Sequence, residues 1–308
     1  MNTNIFINDV MYSGTFITTN SPAIYHNYMY LVVNFVSDTL PSGVNPGYLV
    51  RVQLKQSNAT DAADSAGGIV PLTVPTSPSD PTPDRVGIGQ GALNASPVIM
   101  LGSQGNILIF TSSYADDPTG LPIVVAARDI QATHTLAISW ASALQAIDQT
   151  EAAPALYAAD GILVVPTVAN IYVFTEVARL VGDVPAPPPL PRSAMITCAP
   201  PLGVVQRRLG SPVGLAFNAN TNELVAYTNF EFMDPTGTIY PYLGAFAIAR
   251  GSPPARPLWC ASLNPTSNGD GPGQGTHGQP ALFQYGRSGH TATGLIVNTV
   301  STGTYIFR

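Results

Sequence analysis

Six aspartates and one histidine have the chemistry and the placement to form a site: Asp38, Asp84, Asp116, Asp117, Asp234, Asp270 and His277 all fall in connections between apolar runs. Carboxylates gathered by such connections could ligate calcium through oxygen or move protons as general acid and base. Asp117, Asp234 and Asp270 are the metal candidates, and Asp38, Asp84, Asp116 and His277 are candidates for an interaction face. Spacing argues for a simpler role in two of them. Asp117-Pro-Thr-Gly120 and Asp234-Pro-Thr-Gly237 are ready-made turns, in which the aspartate closes the bend, and that is the favoured reading. The stretch around Asp270, NPTSNGDGPGQGTHG, lacks the ligand spacing of an EF-hand loop, so its metal signal is weak.

No catalytic set is recognisable. The chain has no G-x-S-x-G, H-E-x-x-H or Walker A pattern. Gly87-Ile-Gly89-Gln-Gly91 sits in a Pro-rich stretch with no helix to follow, which reads as flexible connection and not as a phosphate cradle. The four histidines, His26, His134, His277 and His290, are dispersed. No catalytic residue and no cofactor are therefore expected.

The elements that must hold these loops are strands. Five times the chain writes a small or polar residue, Pro, then a short apolar run: SPAIYHN, SPVIMLG, APALYAA, SPVGLAF and QPALFQYG, at Pro22, Pro97, Pro154, Pro212 and Pro280. Each opens a unit of apolar runs separated by Asn, Gly and Pro turns. In the fourth unit they are SPVGLAF, NELVAYTNFEFM, YLGAFAIAR and RPLWCASL. The fifth unit has three runs, QPALFQYG, TGLIVNTV and GTYIFR, and the N-terminal NIFINDVMY is the expected fourth. A ring closed in this way protects sheet edges. The expected fold is all-β, a five-bladed β-propeller of four-stranded blades in a single domain over 1–308, with blades at about 21–76, 96–143, 153–202, 211–263 and 279–308 plus 1–16. A two-sheet sandwich or jelly roll is the rival, but it leaves the five similar units unexplained.

A strand opening small-Pro-apolar, a third strand like GAFAIAR and a fourth ending in Trp, as in Leu258-Trp259 and Ser139-Trp140, resemble the repeats of PQQ-like, quinoprotein-type β-propellers. The resemblance covers nearly the whole chain and implies the fold. It does not carry the quinoprotein cofactor: the vicinal Cys pair, the cofactor-stacking Trp and the calcium site are not recognisable here. Five-bladed propellers include glycoside hydrolases with carboxylates on the innermost strands, yet the five opening runs contain no Asp or Glu.

Composition narrows the partners. Only 10% of residues are charged while 45% are hydrophobic, against about 25% charged in a typical soluble domain. There are eleven Arg and a single Lys, Lys55, and the net charge is −6. With no basic stripe, nucleic acid is excluded as a partner. Apolar stretches such as GILVVPTVANIYVF break well short of the roughly 20 residues of a membrane span. The N-terminus has no basic region and no long apolar core, so no signal peptide is visible. Two glycosylation patterns, Asn58-Ala-Thr60 and Asn94-Ala-Ser96, are near chance in a chain this rich in Ser and Thr.

A surface so poor in charge suits an extracellular or particle-associated subunit. The expected function is a non-catalytic structural or binding propeller with protein partners in a larger assembly, such as a virion or particle surface. The alternative is a lectin-like propeller with glycans as ligands, and a glycosidase or quinone-linked enzyme comes third. Cys198 and Cys260 align with one another on outermost strands of neighbouring blades, which predicts two free thiols, too far apart to bridge. Trp140 and Trp259 are expected as wedges between blades. GDVPAPPPLPRS reads as a polyproline strip, either docking or merely stiff.

Overall fold

The structure, a computed structural model, describes residues 2–7, 10–17, 21–26, 28–40, 47–53, 68–71, 90–91, 96–101, 106–113, 122–130, 135–144, 153–167, 170–177, 180–181, 184–185, 192–195, 206–209, 213–218, 221–237, 239–249, 255–263, 281–285, 293–300 and 303–307. Among them all regular structure is strand, in antiparallel sheets.

Sheet one holds β1 (Asn2–Ile7), β2 (Val10–Ile17), β3 (Ala23–Tyr25), β4 (Tyr28–Val36), β5 (Gly47–Gln53) and β6 (Gly68–Pro71). Sheet two holds β7 (Gln90–Gly91), β8 (Val98–Met100), β9 (Asn106–Ser113), β10 (Pro122–Ile130) and β11 (Thr135–Ala143). Sheet three runs β12 (Ala155–Tyr157), β13 (Ile162–Pro166) and β14 (Asn170–Phe174). The chain then makes a small hairpin, β15 (Leu180–Val181) and β16 (Val184–Pro185), and returns to sheet three as β17 (Arg192–Met195). Sheet four holds β18 (Gln206–Leu209), β19 (Gly214–Asn218), β20 (Glu223–Met233), β21 (Ile239–Ala249) and β22 (Arg256–Ser262). Sheet five is β23 (Ala281–Tyr285), β24 (Thr293–Val300) and β25 (Gly303–Phe307). Each apolar run read from the sequence thus carries a strand, and each unit is one meander.

The opening Pro has a structural reason. β2 and β3 lie along the same edge of β4, with Thr15–Ile17 opposite Val36–Asn34 and Ala23–Tyr25 opposite Tyr30–Tyr28. β7 and β8 share an edge of β9 in the same way, and β18 and β19 an edge of β20. In these sheets the first strand is split, and the break contains Ser21-Pro22, Ser96-Pro97 or Ser211-Pro212. Proline has no N–H to donate, so a break in the ladder costs it nothing. The return into the second strand is tight where the β3–β4 turn uses His26 at φ 52° and the β12–β13 turn uses Gly161 at φ 60°, both left-handed.

The chain forms two compact units. In unit one (residues 1–154 and 176–188), sheet one packs on sheet two: Tyr28, Tyr30, Val32 and Leu49 meet Val125 and Ala127. The first strands β3 and β8 are neighbours, as are the fourth strands β6 and β11. In unit two (155–175 and 189–308), Ile162, Val164, Ile171 and Val173 of sheet three face Leu224, Ala226, Phe246 and Ile248 of sheet four. There the first strands β12, β19 and β23 are neighbours in that order, and Tyr157 stacks on Phe217 with ring centroids 6.2 Å apart.

The middle strands are buried at consecutive positions: Val124–Ala127 in β10, Ile162–Val165 in β13 and Ala245–Ile248 in β21. Successive strand residues point to opposite faces, so these sheets are covered on both. That is why ILVVP, and the VVAA that opens VVAARDI, read as continuous apolar runs and do not alternate.

Two expectations are corrected. The N-terminal strand does not close the last sheet: β1 pairs with β2, and β2 pairs with β4 in sheet one. Phe16 fixes it there, edge-on to Phe35 at 5.7 Å and to Tyr48 at 5.3 Å, and Ser37 Oγ donates to the Ser13 carbonyl at 2.6 Å. Gly14 lets the strand come this close, because a Cβ there would strike the Val36 carbonyl and the Phe35 ring. The cysteines are the second correction. Cys260 on β22 is disulfide-bonded, and none of the described cysteines is free. The sequence offers one other cysteine, Cys198, as its partner. Cys198 itself lies outside the described residues.

Candidate functional site

Of the seven side chains proposed for chemistry, Asp38 and Asp234 belong to the described residues; Asp84, Asp116, Asp117, Asp270 and His277 lie outside them. Asp38 is exposed in the turn after β4, which the Leu40 N–H closes by donating to the Ser37 carbonyl at 3.3 Å. Asp234 builds the β20–β21 turn. Its Oδ1 accepts from the Thr236 N–H at 2.9 Å and the Thr236 hydroxyl at 2.7 Å, and its Oδ2 accepts from the Tyr240 hydroxyl at 3.2 Å. The Gly237 N–H donates to the Asp234 carbonyl at 3.0 Å, with Gly237 at φ 85°. A carboxylate engaged three times by its own turn is a structural part, as the Pro-Thr-Gly spacing implied. Among the described residues no three His, Cys, Asp or Glu side chains gather as a metal site.

One polar cluster escaped the sequence reading. Asp129, fully buried on β10, accepts from the Tyr30 hydroxyl of β4 at 2.5 Å through Oδ2 and from Arg51 Nη1 of β5 through Oδ1. The Arg51 guanidinium lies over the Tyr28 ring, 5.4 Å from its centroid. The cluster ties sheet one to sheet two across their apolar interface. A charge buried this deeply persists only when paired. The signal was legible as charged residues set within apolar runs, Arg51 in YLVRVQ and Asp129 beside Arg128 in VVAARDI, in a chain with few charges.

The surface feature that stands out is the outer strand of sheet four. In β22 every residue but Ala261 is exposed, including Leu258 at 41% and Trp259 at 38%. The register explains how Trp259 is presented. Ala245 pairs with Trp259 and Phe246 with Pro257, so Leu258 is an extra, bulged residue. Sheet two does the same: Ala126 pairs with Trp140 and Ala127 with Ile138, leaving Ser139 bulged. The Ser-Trp and Leu-Trp pairs noted in the sequence are therefore equivalent β-bulges, a device that bends a strand and re-aims a side chain. Trp259, Ala245 and Tyr227 form one row across β22, β21 and β20. The small Ala245 lets the two rings lean together, centroids 6.2 Å apart and planes at 50°. Burial pushes the Tyr227 phenol above its ordinary range. At the start of β22, Arg256 pairs with Glu223 at 3.3 Å. Pro257, Arg256 and the bulge together discourage a further strand from pairing along this half of the edge.

Comparison with known proteins gives no relative: no family model, no curated protein and no solved structure matches the chain.

Proposed function

We propose that the five sheets are the blades of a β-propeller of the PQQ-like kind, and that the protein is a non-catalytic binding or structural subunit of a larger assembly outside the reducing cytosol. Three features support the arrangement: meandering sheets, central strands covered on both faces, and first strands that neighbour one another in chain order. The observation that carries the function is β22, an outer strand that offers Leu258 and Trp259 to solvent on a charge-poor molecule. Exposed apolar side chains that are grouped, and not scattered singly, mark interaction surfaces. The disulfide at Cys260 suits an oxidising compartment.

Native mass spectrometry and light scattering on the protein taken from its source test this reading. A stoichiometric complex with a defined partner is expected; a monodisperse monomer would overturn it. Electron microscopy of the complex should show a disc of five radial sheets, and two flat stacked sheets would refute the propeller.

A further inference from the structure

The sheets do not guard their edges equally. A free strand edge invites pairing with another chain, and proteins discourage it with charges, Pro, bulges or very short edge strands. Among the described residues, the edge strands of five residues or more are β1, β11, β19, β22, β23 and β25. β11 and β22 are bulged, and β19 and β23 lie beside each other. β1 reads NTNIFI and β25 reads GTYIF, with no charge, no Pro and no break in register. The same two strands are where the sheet pattern is irregular. Sheet five stops at three strands, and β25 is its edge on the side where sheets two, three and four carry a fourth. Sheet one has a strand to spare. β2 meets β4 only over residues 15–17, so residues 10–14 have β1 as their strand partner and the hairpin forms an arm. Tyr12 and Phe16 anchor the arm on the core of sheet one, whereas Val10 and Met11 at its tip are 51% and 56% exposed. A two-stranded hairpin is marginally stable in water by itself, so an arm of this kind gains from a third strand. The surplus edge has 6 residues and the open edge 5, a matched length.

We propose that β1 of one copy pairs edge to edge with β25 of a second copy, so that the arm supplies the strand that sheet five lacks. β1 keeps β2 as its partner within its own chain and recognises the neighbour through its other row of main-chain N–H and C=O groups. The two edges differ, so the contact repeats head to tail, into a ring, of which a reciprocal dimer is the smallest, or into a filament. The inference rests on the assembly reading above and names the partner as the chain itself.

The test uses the full chain and two variants that each put a guard on one edge, Asn4→Arg on β1 and Thr304→Arg on β25. Sedimentation velocity over a concentration series should show the parent associating, with each variant alone still monomeric at concentrations at least tenfold higher. An equimolar mixture of the two variants keeps one intact junction, β25 of the first with β1 of the second, so native mass spectrometry should find heterodimers and nothing larger. A monomeric parent, a dimer of either variant alone, which would mean that like edges pair, or a mixture that stays monomeric with parental circular dichroism would overturn the proposal. Should a variant fail to fold, hydrogen exchange of the parent decides. The amides of β1 and β25 should slow together as concentration rises, and unchanged exchange in either strand would overturn the pairing. If the pure chain is monomeric while the complex from its source holds a different protein, this inference falls alone; pairing by a chain that is monomeric in its source would spare the edges and refute the assembly.

Discussion

Sheet two places Asp129 where sheet four, counted from the shared bulge, places Ile248, and it buries Trp140 where sheet four exposes Trp259. Both sheets turn the first of these positions toward the preceding sheet of the same unit. In unit one, Asp129 meets Tyr30 and Arg51; in unit two, Ile248 joins Val164 and Val173. The repeat therefore specifies the backbone and its bulge, while the neighbouring sheet decides whether a position is ionic, apolar or wet. An ionic solution and an apolar solution to the same packing problem coexist in one chain.

The sharpest way to break the comparison is to truncate both tryptophans. Trp140→Ala should lower stability by about 3–5 kcal/mol, the usual cost of emptying a large buried aromatic site, and Trp259→Ala by less than about 1 kcal/mol. Urea denaturation of the two variants reads the difference directly, and similar midpoints would mean the two sites are not distinct. Next come the ion pairs. Asp129→Ala should cost about 3–5 kcal/mol by leaving Arg51 buried without its partner, whereas Glu223→Ala, which removes a pair that is mostly exposed at Arg256, should cost under about 1 kcal/mol. If the apolar solution of sheet four is transferable, Arg51→Met with Asp129→Leu should recover much of the loss.

Reduction of the Cys260 disulfide, which sits in unit two, should cost roughly 3–4 kcal/mol if it closes the loop to Cys198. Thermal melts with and without reductant, alongside Cys260→Ser, measure it, and an unchanged melt would show that the bridge constrains nothing. The smallest effect is on pH. Burial pushes the Tyr48 phenol up to about 12 from 10, so the folded protein keeps a proton that the unfolded chain gives up first. That contribution is complete below pH 10 and is lost as pH rises toward 12. Tyr48→Phe should flatten the decline, and Tyr227→Phe in sheet four should do so less.

Much of the fold was legible because turns and apolar runs are local. Asp234-Pro-Thr-Gly237 reads as a turn from four residues and is one. The destination of the N-terminal strand was not legible, since it depends on Gly14 fitting against Val36 and on Phe16 meeting Phe35 and Tyr48, contacts that no count of strands contains. The bonded state of Cys260 was not legible for a related reason: aligning ITCAPPL with LWCASLN compares positions along the sequence and not what each thiol meets. Trp259 was visible as a residue, but its exposure is set by what lies over sheet four.

The split first strand has a consequence for how such a molecule can vary. In an uninterrupted strand one added residue would turn every later side chain to the wrong face. Where the edge is broken at Ser-Pro, an insertion upstream stops at the gap, and the second piece still enters opposite its own partners. The breaks between β2 and β3, β7 and β8, and β18 and β19 act as expansion joints. They let the units drift apart in length while remaining one architecture, and they are the positions at which a tag or an epitope could be spliced into this chain.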